Sequence, residues 1–318
     1  MRVLIVGAGS VGQLYGFFFQ RGGAAVDVYV RPRYADEART GFRLFDRKKG
    51  LTSPELFSPD GVATTPDDIE THSYDAVVLC IPSTGLYGDW FEDFASSIGD
   101  ATLISLTPGL EDRDFITRFL DPTQVGVGAI TAVAYPAPLP GESAEVPGTA
   151  YWFPPLAPAL FEGPPERIDP MIAVLRKGGM NSRRIEDVTR KSAFVTAVLT
   201  PSVATLESVD WSFSNLRSDK AKLRLLYDAT QESLADAEVH LDQKRPLPMR
   251  LLSPTALRGG LFLAGALPPF DLETYLKVHF TKVGAQTRRH LGEYIRRRGD
   301  RGMESPALEA LLGTIDNR

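Results

Sequence analysis

Cysteine is almost absent from this chain: Cys80 stands alone among 318 residues. One thiol excludes a disulfide framework and a cysteine-ligated zinc site. Its setting, Val77-Val78-Leu79-Cys80-Ile81, predicts a small core residue rather than a reactive nucleophile. Histidine is nearly as scarce. His72, His240, His279 and His290 show no metal-ligand spacing such as H-E-x-x-H, so no metal is expected. No apolar run reaches the roughly 18 residues of a membrane span. Met1 leads straight into an apolar stretch, so no signal peptide is expected. Positive charge is not in excess either. A net charge of -5 argues against nucleic acid or an anionic membrane as the main partner. The expected home is a reducing cytoplasm, and the expected partner a small-molecule substrate.

The chain does have enough length and apolar content for two domains. Hydrophobic residues make up 43% and charged residues 24%, the range of soluble globular proteins. Its opening carries the strongest signal. Arg2 to Val6 are mostly β-branched and run into Gly7-Ala8-Gly9-Ser10-Val11-Gly12. A helical pattern follows at once, with Leu14, Tyr15, Phe17, Phe18 and Phe19, and stops at Gly22-Gly23. Strand, glycine turn and helix in that order make a dinucleotide fingerprint. Gly7 permits the sharp turn, Gly9 lets a pyrophosphate approach the backbone, and Gly12 lets the helix pack on the strand. The N–H groups of Ser10, Val11 and Gly12 then point at the phosphates.

A second strand, Ala25 to Val30, ends in Arg31-Pro32-Arg33. A carboxylate at that place would bind the ribose hydroxyls of NAD, whereas arginine suits the 2′-phosphate of NADP. Arg31 and Arg33 therefore predict NADP. Asp27 comes too early, inside the strand. Residues 41–67 read as irregular, with a turn at Arg47-Lys48-Lys49-Gly50. Asp75 to Ile81 and Ala101 to Leu106 are continuous apolar runs, as expected of strands covered on both faces. Pro82 and Pro108 sit in the turns at their carboxyl ends. Helices are expected over 90–98, 111–120 and 164–178, and extended segments at 125–137 and 149–160 that prolong the sheet. Alternating strands and helices imply right-handed crossovers and a parallel, doubly wound sheet, with ligands at the carboxyl ends of its strands. From about Ile185 the texture becomes helical: 191–208, 221–241, one long helix over 272–298, and 306–312. A Pro- and Gly-rich stretch lies between, over 245–269. The boundaries expected are 1–185 for a dinucleotide-binding Rossmann domain and 186–318 for an all-helical substrate or dimerisation domain. The segment from Leu261 to Pro269 is a candidate dimer interface. Arg296-Arg297-Arg298 reads as a solvated helix end.

This layout resembles the ketopantoate reductases (2-dehydropantoate 2-reductases) over nearly its whole length. The resemblance rests on the opening M-R-V-L-I-V-G-A-G-S-V-G-Q-L-Y-G, the arginine ending strand two, and V-P-G-T-A-Y-W-F near Gly148. Ala229-x-x-Glu232-x-x-x-Asp236 and Gly302-Met303-Glu304-Ser305-Pro306 add to it. It implies a Rossmann domain, a helical domain of the 6-phosphogluconate dehydrogenase type, and NADPH-dependent reduction of a 2-oxo acid in the cleft between them.

The resemblance places a catalytic lysine and two asparagines where this chain has Ser192, Thr196 and Thr200. Their i, i+4, i+8 spacing keeps one polar helix face. Lys191 is one residue, or about 100°, away from that lysine position. The family glutamate falls at Gln286, its asparagine-glycine at Pro108-Gly109, and a further lysine at Pro82. Four departures together imply a different substrate. His279, Lys282 and Gln286 share a face on the expected long helix and offer a substitute set. Ser192, Thr196 and Gln286 are then the candidate substrate wall, with Lys191 or Lys282 as proton donor. The alternatives are an opine- or imine-type or other hydroxy-acid dehydrogenase on the same fold, or a non-catalytic NADP-binding sensor.

Overall fold

The computed structural model describes residues 1–70, 72–107, 109, 111–155, 157–265 and 267–316. The chain divides into two compact units, Met1–Thr189 and Arg190–Arg318.

The first unit is built on an eight-stranded sheet. Its members are β1 (Arg2–Val6), β2 (Ala25–Tyr29), β5 (Gly61–Ala63), β6 (Ala76–Leu79), β7 (Thr102–Ser105), β8 (Val125–Ala129), β11 (Ala159–Glu162) and β12 (Ser182–Arg184). The spatial order is β12-β11-β8-β7-β6-β1-β2-β5. All neighbours are parallel except β11, which runs antiparallel to β8. Every residue of β6 and β7 is buried, because helices cover both faces. On one face α1 (Ser10–Arg21) and the helix Pro165–Gly178 share a core with Val3, Ile5, Val26 and Val28. On the other, the helix Trp90–Ser97 packs Phe91 and Phe94 onto Leu4, Val77 and Leu103. The chain winds outward from β1 in both directions, so the crevice at a change of strand order opens at the carboxyl end of β1.

A second sheet departs from the sequence reading. It has the order β4-β3-β10-β9, with β3 Phe42–Asp46, β4 Glu55–Phe57, β9 Val133–Ala137 and β10 Gly148–Trp152. Residues 41–67 are thus not irregular throughout, although the turn after Asp46 is present, with the Lys49 N–H on the Asp46 carbonyl at 2.8 Å. Of the segments expected to extend the main sheet, only β8 and β11 do so. β9 and β10 leave it, because β10 pairs in parallel with β3 through Thr149 opposite Leu44 and Tyr151 opposite Asp46.

The second unit is helical: α2 (Val188–Glu207), α3 (Lys220–His240), α4 (Pro254–Ala264), α5 (Leu272–Lys282), α6 (Gly284–Asp300) and α7 (Pro306–Asp316), with a short helix Phe213–Ser218. The Pro- and Gly-rich stretch 245–269 contains a helix, α4, that the sequence reading did not give. Pro254 occupies its first turn, and the Ser253 side chain accepts from the Ala256 N–H. The long helix over 272–298 is two helices, broken at Val283 (φ -111°, ψ 21°).

The arginine run also differs from its reading as a solvated end. Arg296 is exposed and pairs with Asp300 at 3.1 Å. Arg297 and Arg298, however, are buried. Arg297 donates to Asp236 at 2.8 and 2.7 Å, and Arg301 holds the other oxygen of that carboxylate at 2.8 Å. Arg298 donates to the Ser305 hydroxyl at 2.9 Å and the Glu304 carbonyl at 2.6 Å. Glu232 accepts from the N–H groups of Ala307 and Leu308 at 3.1 and 2.9 Å, which caps α7. The two C-terminal motifs of the sequence are therefore one buried charge network joining α3, α6 and α7.

Removing one side of a buried pair leaves the other charged group without compensation. Asp236→Ala is expected to destabilise the fold by about 3–5 kcal/mol. Arg296→Ala should stay within about 0.5 kcal/mol of the parent. Urea unfolding followed by far-UV circular dichroism checks both, and equal effects would refute the assignment.

Candidate functional site

The turn after β1 is shaped by contacts that only glycine allows. Gly7 has φ +91°, and its N–H donates to the Tyr29 carbonyl at 2.9 Å. A Cβ placed on Gly12 would lie 1.9 Å from the Gly7 carbonyl oxygen, so any other residue would push α1 off the strand. Gly9 differs from both: a Cβ there meets nothing within 4 Å. It caps α1 without a side-chain hydrogen bond, and the first turn holds no acidic residue. The N–H groups of Ser10, Val11 and Gly12 thus end a helix dipole beside open space, a setting that favours an anion.

The loop is held from two sides. Gln13 donates its side-chain N–H to the Ala8 carbonyl at 2.8 Å and accepts from the Thr149 hydroxyl at 2.5 Å. Thr149 belongs to β10, in the V-P-G-T-A-Y-W-F stretch, so the second sheet braces the turn. Sequence reasoning missed Gln13, because its partner is 136 residues away.

At the end of β2, Arg31 and Arg33 are both exposed. Arg31 precedes the short 3-10 helix Pro32–Tyr34, and the Arg33 guanidinium sits 4.7 Å from the Tyr34 ring centre. Asp27 is buried within the strand. It takes an ion pair from Arg2 at 2.6 Å and a hydrogen bond from the Tyr74 hydroxyl at 2.8 Å, so it is committed below the strand end.

Pro82 begins the turn after β6 and caps the helix Ser83–Leu86. Pro108 lies outside the described residues. The turns after β6 and β7 are tied together by Asp112, a buried carboxylate. It accepts from the Ser83 hydroxyl at 2.6 Å, the Tyr87 hydroxyl at 2.8 Å and the Gly109 N–H at 2.9 Å. In the sequence Asp112 looks like one more acid at a helix start. Burial pushes the Cys80 thiol well above its ordinary pKa, which keeps it protonated.

In the helical unit, α2 carries Lys191, Ser192, Thr196 and Thr200. Lys191 is exposed, Ser192 and Thr196 are half-buried, and Thr200 is buried. The Ser192 hydroxyl oxygen is itself buried and has no hydrogen-bond partner among the described residues. Lys282 is the last residue of α5 and exposed, whereas Gln286 is half-buried in the first turn of α6. The break at Val283 separates them, so the single face expected for His279, Lys282 and Gln286 does not exist. His279 stacks on Tyr275 at 5.4 Å between ring centres. Burial, and then the Lys282 charge, lower its pKa, so it is neutral at pH 7.

The sequence did not signal an open cavity of about 470 Å³ lined by Glu207, Trp211, Thr281, Gly284, Ala285 and Arg288. Glu207 accepts from Arg288 at 2.8 Å. Asp210 and Trp211 both adopt positive φ, at 57° and 65°, a strained backbone that no residue type here announces. Among the described residues no group of three or more His, Cys, Asp or Glu could hold a metal ion. Among the described residues no helix is long and apolar enough to cross a membrane.

Residues 3–144 match the family model described as ketopantoate reductase PanE/ApbA. No curated protein matches the chain in sequence. Among solved structures, the chain is similar to a PanE/ApbA family ketopantoate reductase from Ralstonia eutropha JMP134. Identity is 20% and the TM-score 0.75, over 99% of this chain and 97% of that one. A 2-dehydropantoate 2-reductase from Geobacter metallireducens GS-15 is similar at 16% identity and TM-score 0.72, over 100% and 99%. A D-mandelate dehydrogenase, in complex with NADH and anilino(oxo)acetate, is similar at 14% identity and TM-score 0.73, over 100% and 97%. The family that the N-terminal part of this chain matches is therefore that of the ketopantoate reductases, and the fold of those enzymes runs through both units.

Proposed function

We propose that this protein is an NADP(H)-dependent oxidoreductase that moves a hydride between the nicotinamide and the carbonyl carbon of a small 2-oxo acid. The observation that carries it is the uncapped start of α1. Bare amides face open space at Gly9, and two exposed arginines stand at the end of the adjacent strand. These residues fit a phosphorylated dinucleotide. The pyrophosphate falls to Gly7, Gly9, Ser10, Val11 and Gly12, and the 2′-phosphate to Arg31 and Arg33. Pro82 lines the nicotinamide side.

The bound dinucleotide supplies the hydride; the chain's own residues position the reactants and handle the proton. Ser192, Thr196 and Gln286 hold the substrate. As the carbonyl carbon is reduced its oxygen gains negative charge, and a proton moves to it from the ammonium of Lys191 or Lys282. Small hydroxyls at 192, 196 and 200 favour a substrate other than ketopantoate. The D-mandelate dehydrogenase among the similar folds supports widening the search to other 2-oxo acids.

Replacing Arg31 and Arg33 with alanine should weaken NADPH binding at least roughly tenfold, since each lost charge-assisted hydrogen bond is worth about 1.5–3 kcal/mol. NADH binding should change little; equal loss of both, measured by nucleotide fluorescence, refutes the 2′-phosphate assignment. Absorbance at the NADPH band, with a panel of 2-oxo acids and imines, tests catalysis. The expected result is turnover on the order of 1–1000 per second with at least one of them. Tight binding without turnover would make this a cofactor-binding sensor. Lys191→Met and Lys282→Met distinguish the donor: its loss should lower kcat by roughly 10²–10⁴ while NADPH still binds.

A further inference from the structure

The strand order β7-β6-β1-β2 puts the arginine-bearing end of β2 on one side of the phosphate turn and the ends of β6 and β7 on the other. A dinucleotide laid across that crevice has its adenosine at β2 and its nicotinamide over the turns after β6 and β7. Asp112 joins those turns and is only 2% exposed. It accepts from the hydroxyls of Ser83 and Tyr87, at the start of and just after the helix Ser83–Leu86, and from the Gly109 N–H. The turn after β7 has closed on it, since a Cβ on Gly109 would lie 2.6 Å from a carboxylate oxygen. All three donors are neutral, and no lysine, arginine or histidine pairs with Asp112 among the described residues. Glu111 before it adds no positive charge, and Arg113 and Asp114 after it are exposed and of opposite sign.

Tying the turns together does not need a charge. An asparagine would serve the same partners. Its oxygen would accept from Ser83 and Gly109, and its NH2 would donate to the Tyr87 hydroxyl, which can take either role. A buried carboxylate without a cation costs free energy that an amide would not. A chain breaks such rules chiefly at functional sites. We infer that the Asp112 charge acts on the nicotinamide: it favours the oxidised ring, which is cationic, over the reduced ring, which is neutral, and so makes the bound dinucleotide a stronger hydride donor. This rests on the cofactor assignment above. One hydride, with its two electrons, goes to the substrate's carbonyl carbon, and a lysine proton goes to its oxygen. The positive charge left on the ring is the one that Asp112 meets. At roughly 10 Å and an effective dielectric of about 20, one unit charge changes the affinity for another on the order of tenfold. A tenfold change in the ratio of NADP+ to NADPH affinity is a shift of about 30 mV in the bound couple.

Isothermal titration calorimetry of the whole chain with NADP+ and with NADPH, each alone, tests it. Asp112→Asn is expected to weaken NADP+ relative to NADPH on the order of tenfold. Ser83→Ala, which removes a hydrogen bond and keeps the charge, should leave that ratio as in the parent. Should Asp112→Asn fail to fold, the parent gives a second reading. The phosphates are common to both nucleotides, so NADP+ should bind no more weakly than NADPH. An unchanged ratio in Asp112→Asn, an equal shift in Ser83→Ala, or a parent that prefers NADPH overturns the inference and leaves the cofactor assignment standing. A folded parent that binds neither nucleotide overturns both.

Discussion

The approach of α1 to β1 decides what the first unit can be. Two backbones meet where the Gly7 carbonyl and the Gly12 Cα leave no room for a single carbon. That contact aims the helix start at the carboxyl end of the strand, and the remaining features answer to it. Thr149 and Gln13 brace the turn from the second sheet, and the Gly7 N–H ties it to the end of β2. Asp112 knits the neighbouring turns of β6 and β7, so the rim of the crevice is cross-linked by hydrogen bonds rather than left as free loops. A rigid rim of this kind suits a ligand that must be oriented as well as held.

What could be read from the residues was what is encoded locally. The glycine turn, the apolar runs of β6 and β7, and the helix Pro165–Gly178 each declare themselves within a dozen positions. The second sheet did not, because β3 finds its partner in β10, about a hundred residues on. Its short strands lack the unbroken apolar signature of the main sheet. The helix α4 was hidden by the glycines and prolines around it, although Ser253-Pro254 is a sound helix start. Only Gly284 marked the break at Val283, and that break dissolves the shared face of Lys282 and Gln286. The buried arginines were misjudged for a related reason: the carboxylate that draws Arg297 inward is 61 residues away. Charge runs show their solvation only when the partners are known.

The candidate site divides along the same line. The residues proposed for a phosphate, Gly7 to Gly12, are contiguous. Those proposed for a substrate come from α2, α5 and α6, whose rotation about each helix no spacing rule fixes. The cavity beside Trp211 and Arg288 arises from a strained backbone pair and from a tertiary ion pair, both invisible in one dimension.

The charge network of the helical unit also dictates a schedule. Glu232 and Asp236 are made well before the groups that satisfy them, the farthest of which, the Leu308 amide, is 76 residues downstream. At about 5–20 residues per second a ribosome needs roughly 4–15 s to cover that span. During this interval Glu232 and Asp236 wait for those partners, although Leu223 and Leu226 of α3 can already pack on Leu206, Trp211 and Phe213. The last partners of this network, on α7, therefore emerge only well after the first unit, Met1–Thr189, is complete.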